Sequence, residues 1–331
     1  MNAALVGGGN ISDTHARAAL AAGLRIAGVH GANRGKIRAL ADRYGAPAFD
    51  TLDALLAQPS IDLVIIGSPS GCHAEQAIAA ARRGRHVLVE KPLDIATTRI
   101  DALADAVTRA GVTLGVIFQD RLKPDVVAIK RRLDAGELGT PLVATGEVKW
   151  FRPAEYYSAS KWRGTWALDG GGALMNQGIH TVDLLLYLLG PVTRVTGLTA
   201  TRHHAIEAED TATALLEFAS GAQGTLDVTT AAFPGSPRRL RIAGTAGSLV
   251  LEGDRLAITD SVPSEPIENA SSPVVSDVSA HQRVIEDFLA SIRDGRPPVC
   301  DVHEGRRSVE VVEAVYRSSR EQRTITIGQV E

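Results

Sequence analysis

Short apolar runs alternate with helical patterns through the first 120 residues, and this alternation is what most constrains the fold. The runs that read as strands are Ala3–Val6, Arg25–Val29, Asp62–Gly67, His86–Val89 and Val112–Val116, with a shorter one near 47–49. Strands separated by crossover helices form a parallel sheet that is covered on both faces. We therefore predict an N-terminal, doubly wound Rossmann domain over residues 1–120.

The pattern changes after about residue 140, where strands follow one another without intervening helices. These strands are Ala212–Phe218, Gln223–Thr229, Leu240–Ile242 and Ser248–Leu251, with hairpin signals at 220–221 and 252–254. Successive hairpins predict a mainly antiparallel sheet with one face free to pack on helices or on another subunit. Residues 261–279 read as a loop, and helices near 280–293 and 303–320 close an α+β domain that spans 121–331.

Charge and cysteine content exclude several classes of partner. The 331 residues include 35 basic and 38 acidic ones with no long charge run, so we expect neither nucleic acid nor a membrane surface as a partner. We find no leader pattern and no apolar stretch long enough to cross a bilayer. Cys72 and Cys300 are far apart and lack metal-ligand spacing, so we expect reduced thiols, a cytoplasmic protein and no metal site.

A glycine turn links the first strand to the first helix. Gly7 permits a tight turn, Gly9 lets the backbone approach a phosphate, and Ser12 replaces the third glycine of a dinucleotide motif. The main chain at Asn10 and Ile11 then begins a helix, whose N-terminus suits a pyrophosphate. The alternative is a purely structural turn, but its place at the start of a β/α series favours dinucleotide binding.

The end of the second strand bears on the choice between NAD and NADP. An NAD-preferring domain usually has a carboxylate about 20 residues past the glycines. That position is Gly31 here, and Asn33 and Arg34 lie just beyond it. A missing carboxylate with nearby cations favours NADP, whereas the alternative is an ordinary solvated helix face.

The loop after the fourth strand, Ser68-Pro69-Ser70, is a second candidate for cofactor contact. Its backbone and hydroxyl groups could hold the nicotinamide ribose, with His73 near the pyrophosphate. Alternatively, Ser70 is an N-cap and His73 a surface residue. The sequence leaves both alternatives open.

Lys91 follows the apolar run His86–Val89, within Glu90-Lys91-Pro92. A lysine at the carboxyl end of a parallel strand faces the crevice where a nicotinamide would lie. Oxidation of a secondary alcohol needs a proton acceptor, and desolvation beside a nicotinamide cation would lower the pKa of a lysine towards neutrality. Strand alternation aims Glu90 to the opposite face. Lys91 is therefore our catalytic candidate.

Polar and aromatic residues of the second half form another group. Trp162 and Arg163, with Tyr156 before them, are candidate sugar contacts, although Trp162 could be core. Three glycines at 170–172 indicate close approach of the backbone to a ligand or to another segment. A helix follows on which Asn176, His180 and Asp183 would form one polar stripe. The alternative for His180 is a buried histidine satisfied by Asp183.

These motifs together resemble the Gfo/Idh/MocA family of NAD(P)-dependent oxidoreductases over essentially the whole chain. The motifs that carry the resemblance are Gly7-x-Gly9-x-x-Ser12, Ser68-Pro69 with His73, Glu90-Lys91-Pro92, Trp162-Arg163-Gly164, and Gly170-Gly171-Gly172 leading to His180 and Asp183. The resemblance implies a Rossmann domain followed by a domain whose large open sheet forms homodimers or homotetramers. It also implies oxidation or reduction of a sugar or polyol carbinol.

The resemblance further implies roles for individual residues. Lys91 would transfer the proton and His180 would orient the substrate. We also expect Gln119 and Glu90 at the cofactor, and Arg121 at the substrate. Inositol-dehydrogenase-like members have an aspartate where this chain has Asn176, which cannot take a proton.

The segment 162–180 is similar to the branch that acts at position 3 of pyranoses, including nucleotide sugars. We therefore expect an NAD(P)-dependent sugar dehydrogenase or ketoreductase. A glycoside hydrolase that uses transient oxidation, and an NADP(H)-binding sensor without turnover, remain alternatives.

Overall fold

The computed structural model describes residues 1–253, 255–258 and 277–328, which form two compact units. The first unit contains residues 1–119 and, after the gap, described residues 277–306; the second contains the described residues from 120 to 258 and from 307 onwards. The return of residues 277–306 to the first unit was not predicted. The division at residue 120 into a cofactor domain and a substrate domain stays a prediction.

The described residues contain ten α-helices and fourteen strands. The helices are α1 Asn10–Ala21, α2 Arg34–Tyr44, α3 Leu52–Leu56, α4 His73–Arg82, α5 Thr97–Ala110, α6 Pro124–Asp134, α7 Ala154–Ser158, α8 Ile179–Leu189, α9 Ser279–Asp294 and α10 Val302–Glu321. The strands are β1 Asn2–Val6, β2 Arg25–His30, β3 Ala48–Phe49, β4 Leu63–Ile66, β5 His86–Glu90, β6 Leu114–Ile117, β7 Pro141–Lys149, β8 Val192–Ala200, β9 Thr211–Phe218, β10 Gln223–Thr229, β11 Arg239–Gly244, β12 Ser248–Glu252, β13 Arg255–Ile258 and β14 Ile325–Thr326.

The first unit is a six-stranded parallel sheet in the order β3-β2-β1-β4-β5-β6. The central strands are buried almost throughout because helices cover both faces. The strand order reverses between β1 and β4, which is where ligands bind at the carboxyl edge of doubly wound sheets. The predicted Rossmann architecture is confirmed.

Helix α9 packs against α1 and β6 of this sheet. Its Phe288 ring lies where a side chain at Gly115 of β6 would be, since a Cβ there would come within 2.7 Å of the ring. The absence of a side chain on β6 therefore makes room for the late helix, a relation that local pattern does not reveal.

The second unit is an eight-stranded sheet in the order β13-β12-β11-β7-β10-β9-β8-β14. All pairings are antiparallel except that of β7 with β10. Helices α8 and α10 cover one face, where Gly146 leaves room for Thr181 and Gly197 for Val315. The predicted open, mainly antiparallel sheet is confirmed. Strands β7 and β8 were not named from the sequence, and both have a glycine near the middle that weakens the strand pattern.

Two further observations concern predictions made from the sequence. The loop predicted at 261–279 lies outside the described residues up to 276, and α9 begins at Ser279. Among the helices of the described residues, none is both long and apolar enough to span a bilayer.

Candidate active site

The glycine turn after β1 has the geometry that a dinucleotide needs. Gly7 has φ of +132°, and a Cβ there would lie 2.5 Å from the Gly67 carbonyl oxygen, so only glycine fits. A Cβ at Gly9, by contrast, would meet nothing within 4 Å. No side chain caps the N-terminus of α1. Open space before an uncapped helix N-terminus fits a pyrophosphate.

The end of β2 contains the residues expected to choose between NAD and NADP. The Oδ1 atom of Asn33 accepts the Lys36 N–H at 3.0 Å and so caps α2. Arg34 is exposed, with Nε 3.5 Å from Asp50 Oδ1. The cation on which the NADP preference depends therefore has a carboxylate beside it. Gly31 is crowded, because a Cβ there would lie 2.8 Å from Ile37 Cδ1.

His73 is buried, so the alternative of a surface residue is wrong. Its Nδ1 lies 2.8 Å from the Pro92 carbonyl oxygen and its Nε2 lies 2.9 Å from that of Ser68. The residue that caps α4 is Cys72, with no side-chain hydrogen bond, so the alternative of Ser70 as N-cap is also wrong. His73 thus joins the Ser68–Pro69 loop to the turn after Lys91, while its contact with the cofactor stays a prediction.

Glu90 is buried at the end of β5 and is bonded on both carboxylate oxygens. Oε1 lies 2.9 Å from His15 Nε2, and Oε2 accepts the Lys91 N–H at 3.0 Å. His281 Nε2 is 3.9 Å from Oε1. Burial alone would raise the pKa of Glu90, but the His15 hydrogen bond and the charges of His15, His281 and Lys91 lower this pKa to about 2. Glu90 therefore anchors the main chain of Lys91.

His15, Glu90 and His281 are also the one group of potential metal ligands in the described part of the chain, with ligand atoms within 4.8 Å of one another. The contact between His15 and Glu90 is a hydrogen bond, and imidazole groups complement the ionised carboxylate. We interpret the group as a tie to the end of β5, with a hydrogen bond from His15 of α1 and a longer electrostatic contact from His281 of α9.

Arg121 and Asp183 form a buried ion pair within the second unit. Arg121 Nη2 donates to Asp183 Oδ1 at 2.7 Å and Nε donates to Oδ2 at 3.0 Å. Ser308 Oγ donates to the same carboxylate at 3.3 Å. Both side chains are sealed from solvent, and a direct contact of Arg121 or Asp183 with the substrate stays a prediction.

His180 lies in the first turn of α8 and faces a carboxylate that sequence reasoning missed. Its Nδ1 is 3.8 Å from Asp120 Oδ2. Asp120 also bonds Lys123 Nζ at 2.7 Å and the Arg238 guanidinium. Burial would raise the pKa of Asp120, but Arg238, Lys123 and His180 hold it well below its ordinary value. An ionised Asp120 therefore lies beside the His180 imidazole. Asp183, the partner of His180 in the alternative drawn from the sequence, pairs with Arg121.

Asn176 belongs to a π-helix, Ala173–Gly178, that precedes α8. The predicted stripe of Asn176, His180 and Asp183 on one α-helix is therefore wrong, because the wider π turn changes the spacing. Asn176 Nδ2 donates to Asp169 Oδ1 at 2.6 Å, and Asn176 Oδ1 accepts from Gln177 Nε2 at 3.0 Å. Short π segments inside helices are frequent at functional sites.

Two arginines lie over the ring of Tyr156. Arg163 Cζ is 4.2 Å and Arg152 Cζ is 5.3 Å from the ring centroid. Arg163 also lies over Trp162, and the Tyr156 hydroxyl accepts from Gln177 at 2.8 Å. Burial lowers the pKa of the Arg152 guanidinium. The predicted residues Tyr156, Trp162 and Arg163 are thus brought together, and Arg152, which was not predicted, joins them.

Gly171 and Gly172 of the turn at 170–172 approach another segment of the chain, which is one of the two alternatives for this turn. A Cβ at Gly172 would lie 1.8 Å from the Glu209 carbonyl oxygen, and one at Gly171 would lie 2.1 Å from Tyr316 Oη. Neither Glu209 nor Tyr316 was predicted. Each is distant in sequence and has no local motif that marks it.

The chain is similar to known oxidoreductases. Residues 1–118 match the oxidoreductase family with an NAD-binding Rossmann fold, and residues 126–250 match the GFO/IDH/MocA C-terminal domain. The chain is 30% identical to D-xylose 1-dehydrogenase (NADP+) 2 of Haloferax volcanii, over 85% of each chain. It is 28% identical to inositol 2-dehydrogenase of Rhizobium meliloti, over 98% of each chain.

A solved structure with similar fold is the WlbA dehydrogenase of Bordetella pertussis in complex with NADH and UDP-GlcNAcA. The TM-score is 0.89 at 33% identity, and the match covers 100% of this chain and 99% of the other. The chain therefore belongs to the GFO/IDH/MocA family of oxidoreductases with an NAD-binding Rossmann fold.

Proposed function

We propose that this protein transfers a hydride between a nicotinamide and a secondary carbinol or ketone of a sugar, with Lys91 as the proton-transfer residue. The protein is an NAD(P)-dependent oxidoreductase, and its full-length relatives are sugar and polyol dehydrogenases. The observation that carries the proposed role of Lys91 is local to the first unit. Its sheet has open space at Gly9 after β1 and a half-buried lysine directly after β5.

The residues of the first unit would bind the cofactor and move the proton. The turn at Gly7 and Gly9 would hold the pyrophosphate, and the bound nicotinamide would supply or accept the hydride. Lys91 Nζ would take the hydroxyl proton as the carbinol is oxidised and return it in the reverse direction. The hydrogen bond from the Lys91 N–H to Glu90 supports this role because it fixes the peptide from which the lysine side chain extends.

His180 would orient the substrate hydroxyl from the second unit. The ionised Asp120 beside Nδ1 favours a proton on that nitrogen, which leaves Nε2 as the atom to accept from a hydroxyl group. Asn176 can donate or accept a hydrogen bond but cannot take a proton, so we assign it to substrate binding. These roles are proposals drawn from the local geometry.

We propose a nucleotide-linked sugar acid as the first substrate class to test, with reaction at position 3 of the pyranose. The WlbA relative binds UDP-GlcNAcA. In this chain Arg152 and Arg163 converge on Tyr156, an arrangement that supports binding of an anionic sugar through charge and its ring through aromatic contact. Of the two cofactors, NADP is favoured by the sequence, but we propose it as the second choice after NAD because Asp50 lies beside Arg34.

The decisive experiment incubates purified protein with NAD or NADP and a panel of UDP-linked sugar acids, neutral pyranoses and inositols. Reduced nicotinamide is followed by absorbance, and sugar products by mass spectrometry. Formation of reduced cofactor with a matching keto sugar supports the proposal. Sugar release without net change in absorbance would instead indicate the glycoside hydrolase, and tight cofactor binding with no product would indicate the sensor.

We also propose assembly into a homodimer or homotetramer through the uncovered face of the second-unit sheet. Leu198 on β8 and Leu215 on β9 are 70% and 59% exposed on that face. Large apolar side chains at such positions are typical of a surface that another subunit covers. Sedimentation of the wild type and of Leu215→Glu tests this.

A cytoplasmic location stays a prediction; neither Cys72 nor Cys300 forms a disulfide in the described residues.

A further inference from the structure

The glycine turn before the π-helix is packed against two side chains from distant parts of the second unit. Gly172 leaves room for the main chain of Glu209, and Gly171 leaves room for the Tyr316 hydroxyl. The Tyr316 hydroxyl in turn donates to Glu209 Oε1 at 2.9 Å. Two of the three consecutive glycines are therefore required by this pair of residues.

Glu209 bonds the main chain at the start of the π-helix. Oε2 accepts the Gly172 N–H at 3.0 Å and Oε1 accepts the Leu174 N–H at 2.8 Å. Its carbonyl oxygen accepts the Ala173 N–H at 2.9 Å. The first N–H groups of a helix have no partner within the helix. Glu209 satisfies three consecutive ones and so replaces the local cap that the turn lacks.

We propose that Glu209 and Tyr316 form a positioning clamp, which holds the π-helix in the conformation that presents Asn176 and His180 to the substrate. The inference rests on the proposed function, because that function gives Asn176 and His180 their roles. The clamp acts through the main chain of residues 172–174. Neither Glu209 nor Tyr316 needs to touch the substrate.

The charge of Glu209 decides how tightly the clamp holds. The groups that face its carboxylate are neutral N–H donors and the Tyr316 hydroxyl of α10. Asp169, from the turn before the glycines, acts on Tyr316, whereas the neighbouring Asp210 bonds the N–H groups of residues 202–204. Burial raises the pKa of Glu209 to about 7, and the hydrogen bonds oppose that rise.

Protonation of Glu209 adds an O–H donor to a carboxyl group that already faces three hydrogen-bond donors. The clamp is therefore tightest above neutral pH and loosens below it.

The ring of Trp166 lies edge-on to Tyr316, with 5.2 Å between the ring centroids. Tryptophan fluorescence therefore reports the state of the clamp without any substrate. A Trp166→Phe variant assigns the signal among the three tryptophans of the chain.

The first experiment titrates this fluorescence in the wild type, Glu209→Gln, Tyr316→Phe and the control Glu207→Gln. Glu207 is an exposed carboxylate of the same segment that accepts the Trp166 N–H. We expect a midpoint near pH 7 in the wild type and the control, and none in Glu209→Gln. In Tyr316→Phe the midpoint should rise, because the Tyr316 hydrogen bond lowers the pKa of Glu209. A midpoint that persists in Glu209→Gln would overturn the proposal.

The second experiment measures kcat and KM from pH 5 to 9 with the sugar substrate found by the panel. Glu209→Gln should lower kcat/KM roughly tenfold above neutral pH, as expected for a disturbed buried hydrogen bond. Below neutral pH, the decline in kcat/KM that protonation of Glu209 causes in the wild type should be absent from this variant. NADH binding should stay unchanged, which excludes general misfolding. Full activity of Glu209→Gln at every pH would refute the clamp. If no sugar is turned over by the wild type, the proposed function fails, and the fluorescence titration still decides the clamp.

Discussion

Each unit contains a buried glutamate that bonds the main chain beside a predicted functional residue, yet the two differ in charge behaviour. Glu90 bonds the Lys91 N–H and has a pKa lowered to about 2. Glu209 bonds the turn before Asn176 and has a pKa raised to about 7. Burial raises both pKa values, but histidines surround Glu90 whereas neutral donors surround Glu209. Neighbouring charge, rather than burial, separates the two sites.

This difference assigns different duties to the two units. Glu90 stays ionised at every pH where the protein would work, so it holds Lys91 in a constant position. Glu209 changes charge near neutrality, so the turn that it holds is sensitive to pH. The four predictions below test this contrast, beginning with the largest expected effect.

Replacement of Lys91 by alanine should have the largest effect on turnover, because it removes the proposed proton-transfer group. Glu90 would still hold the main chain at this position. We expect kcat to fall by about 10² to 10⁴, the usual contribution of a general acid or base. NADH binding, measured by nicotinamide fluorescence, should persist. The control is Lys161→Ala, at an exposed lysine of the second unit. Turnover of Lys91→Ala at the level of the control would remove Lys91 from the mechanism.

Alanine at Gly172 and at Gly9 should separate a glycine needed for packing from one needed for a ligand. At Gly172 the new Cβ would overlap the Glu209 main chain, so we expect a loss of about 3 kcal/mol in the free energy of unfolding. At Gly9 the backbone is extended and the space is open, so stability should persist while NADH affinity falls. Urea unfolding measures the stability of each variant, and titration with NADH measures its affinity for the cofactor. Equal loss of stability in the two variants would contradict this distinction.

The two glutamates should give opposite dependences of stability on pH. The folded pKa of Glu90 lies below the ordinary 4.5, so its ionisation stabilises the fold above pH 4.5, and that contribution is lost as the pH falls towards 2. The folded pKa of Glu209 lies above 4.5, so its contribution is full below pH 4.5 and is lost as the pH rises through 7, because the desolvation of the buried charge outweighs the stronger hydrogen bonds that the ionised carboxylate makes in the clamp. Each contribution is about 3 kcal/mol.

Urea unfolding of Glu90→Gln and Glu209→Gln against the wild type measures these contributions. The advantage of the wild type over Glu90→Gln should shrink from pH 5 to 3, whereas its advantage over Glu209→Gln should shrink from pH 5 to 8. If the stability advantage of the wild type over both variants changed with pH in the same direction, the surroundings of the two carboxylates would not differ as described.

Asn33→Asp should have the smallest effect, since it changes only the choice of cofactor in the first unit. An aspartate keeps the cap of α2 and places a carboxylate at the end of β2. We expect the ratio of kcat/KM values for NADP and NAD to fall roughly tenfold, by repulsion of the 2′-phosphate. Asp50→Asn is the opposite change beside Arg34 and should raise this ratio. An unchanged ratio in both variants would remove this strand end from cofactor selection.

The sequence predicted features that depend on neighbours along the chain. The strands of the first unit, the turn at Gly7 and Gly9 and the helix bounds depend on local periodicity and backbone sterics. The candidates Tyr156, Trp162 and Arg163 lie within one short segment, and the structure brings them together. The resemblance to the family was based on the same local motifs, and the matches over residues 1–118 and 126–250 confirm it.

Features that depend on distant partners were missed. Asp183 reads as a functional residue on its helix, but Arg121 and Ser308 reach it from other elements. Glu209 lacks a motif because its partners, the glycine turn and Tyr316, are each more than thirty residues away. The π-helix also escaped prediction, since nothing in its apolar pattern distinguishes it from an α-helix.

Transfer of a labelled hydride tests the central claim most directly. A UDP-linked sugar acid deuterated at position 3 of the pyranose is incubated with the wild type and NAD, and the reduced cofactor is analysed by mass spectrometry. The proposed chemistry predicts that the deuterium appears in the reduced nicotinamide and that a 3-keto sugar accumulates with it. Oxidised product with unlabelled reduced cofactor, or deuterium that stays on a released sugar, would contradict it.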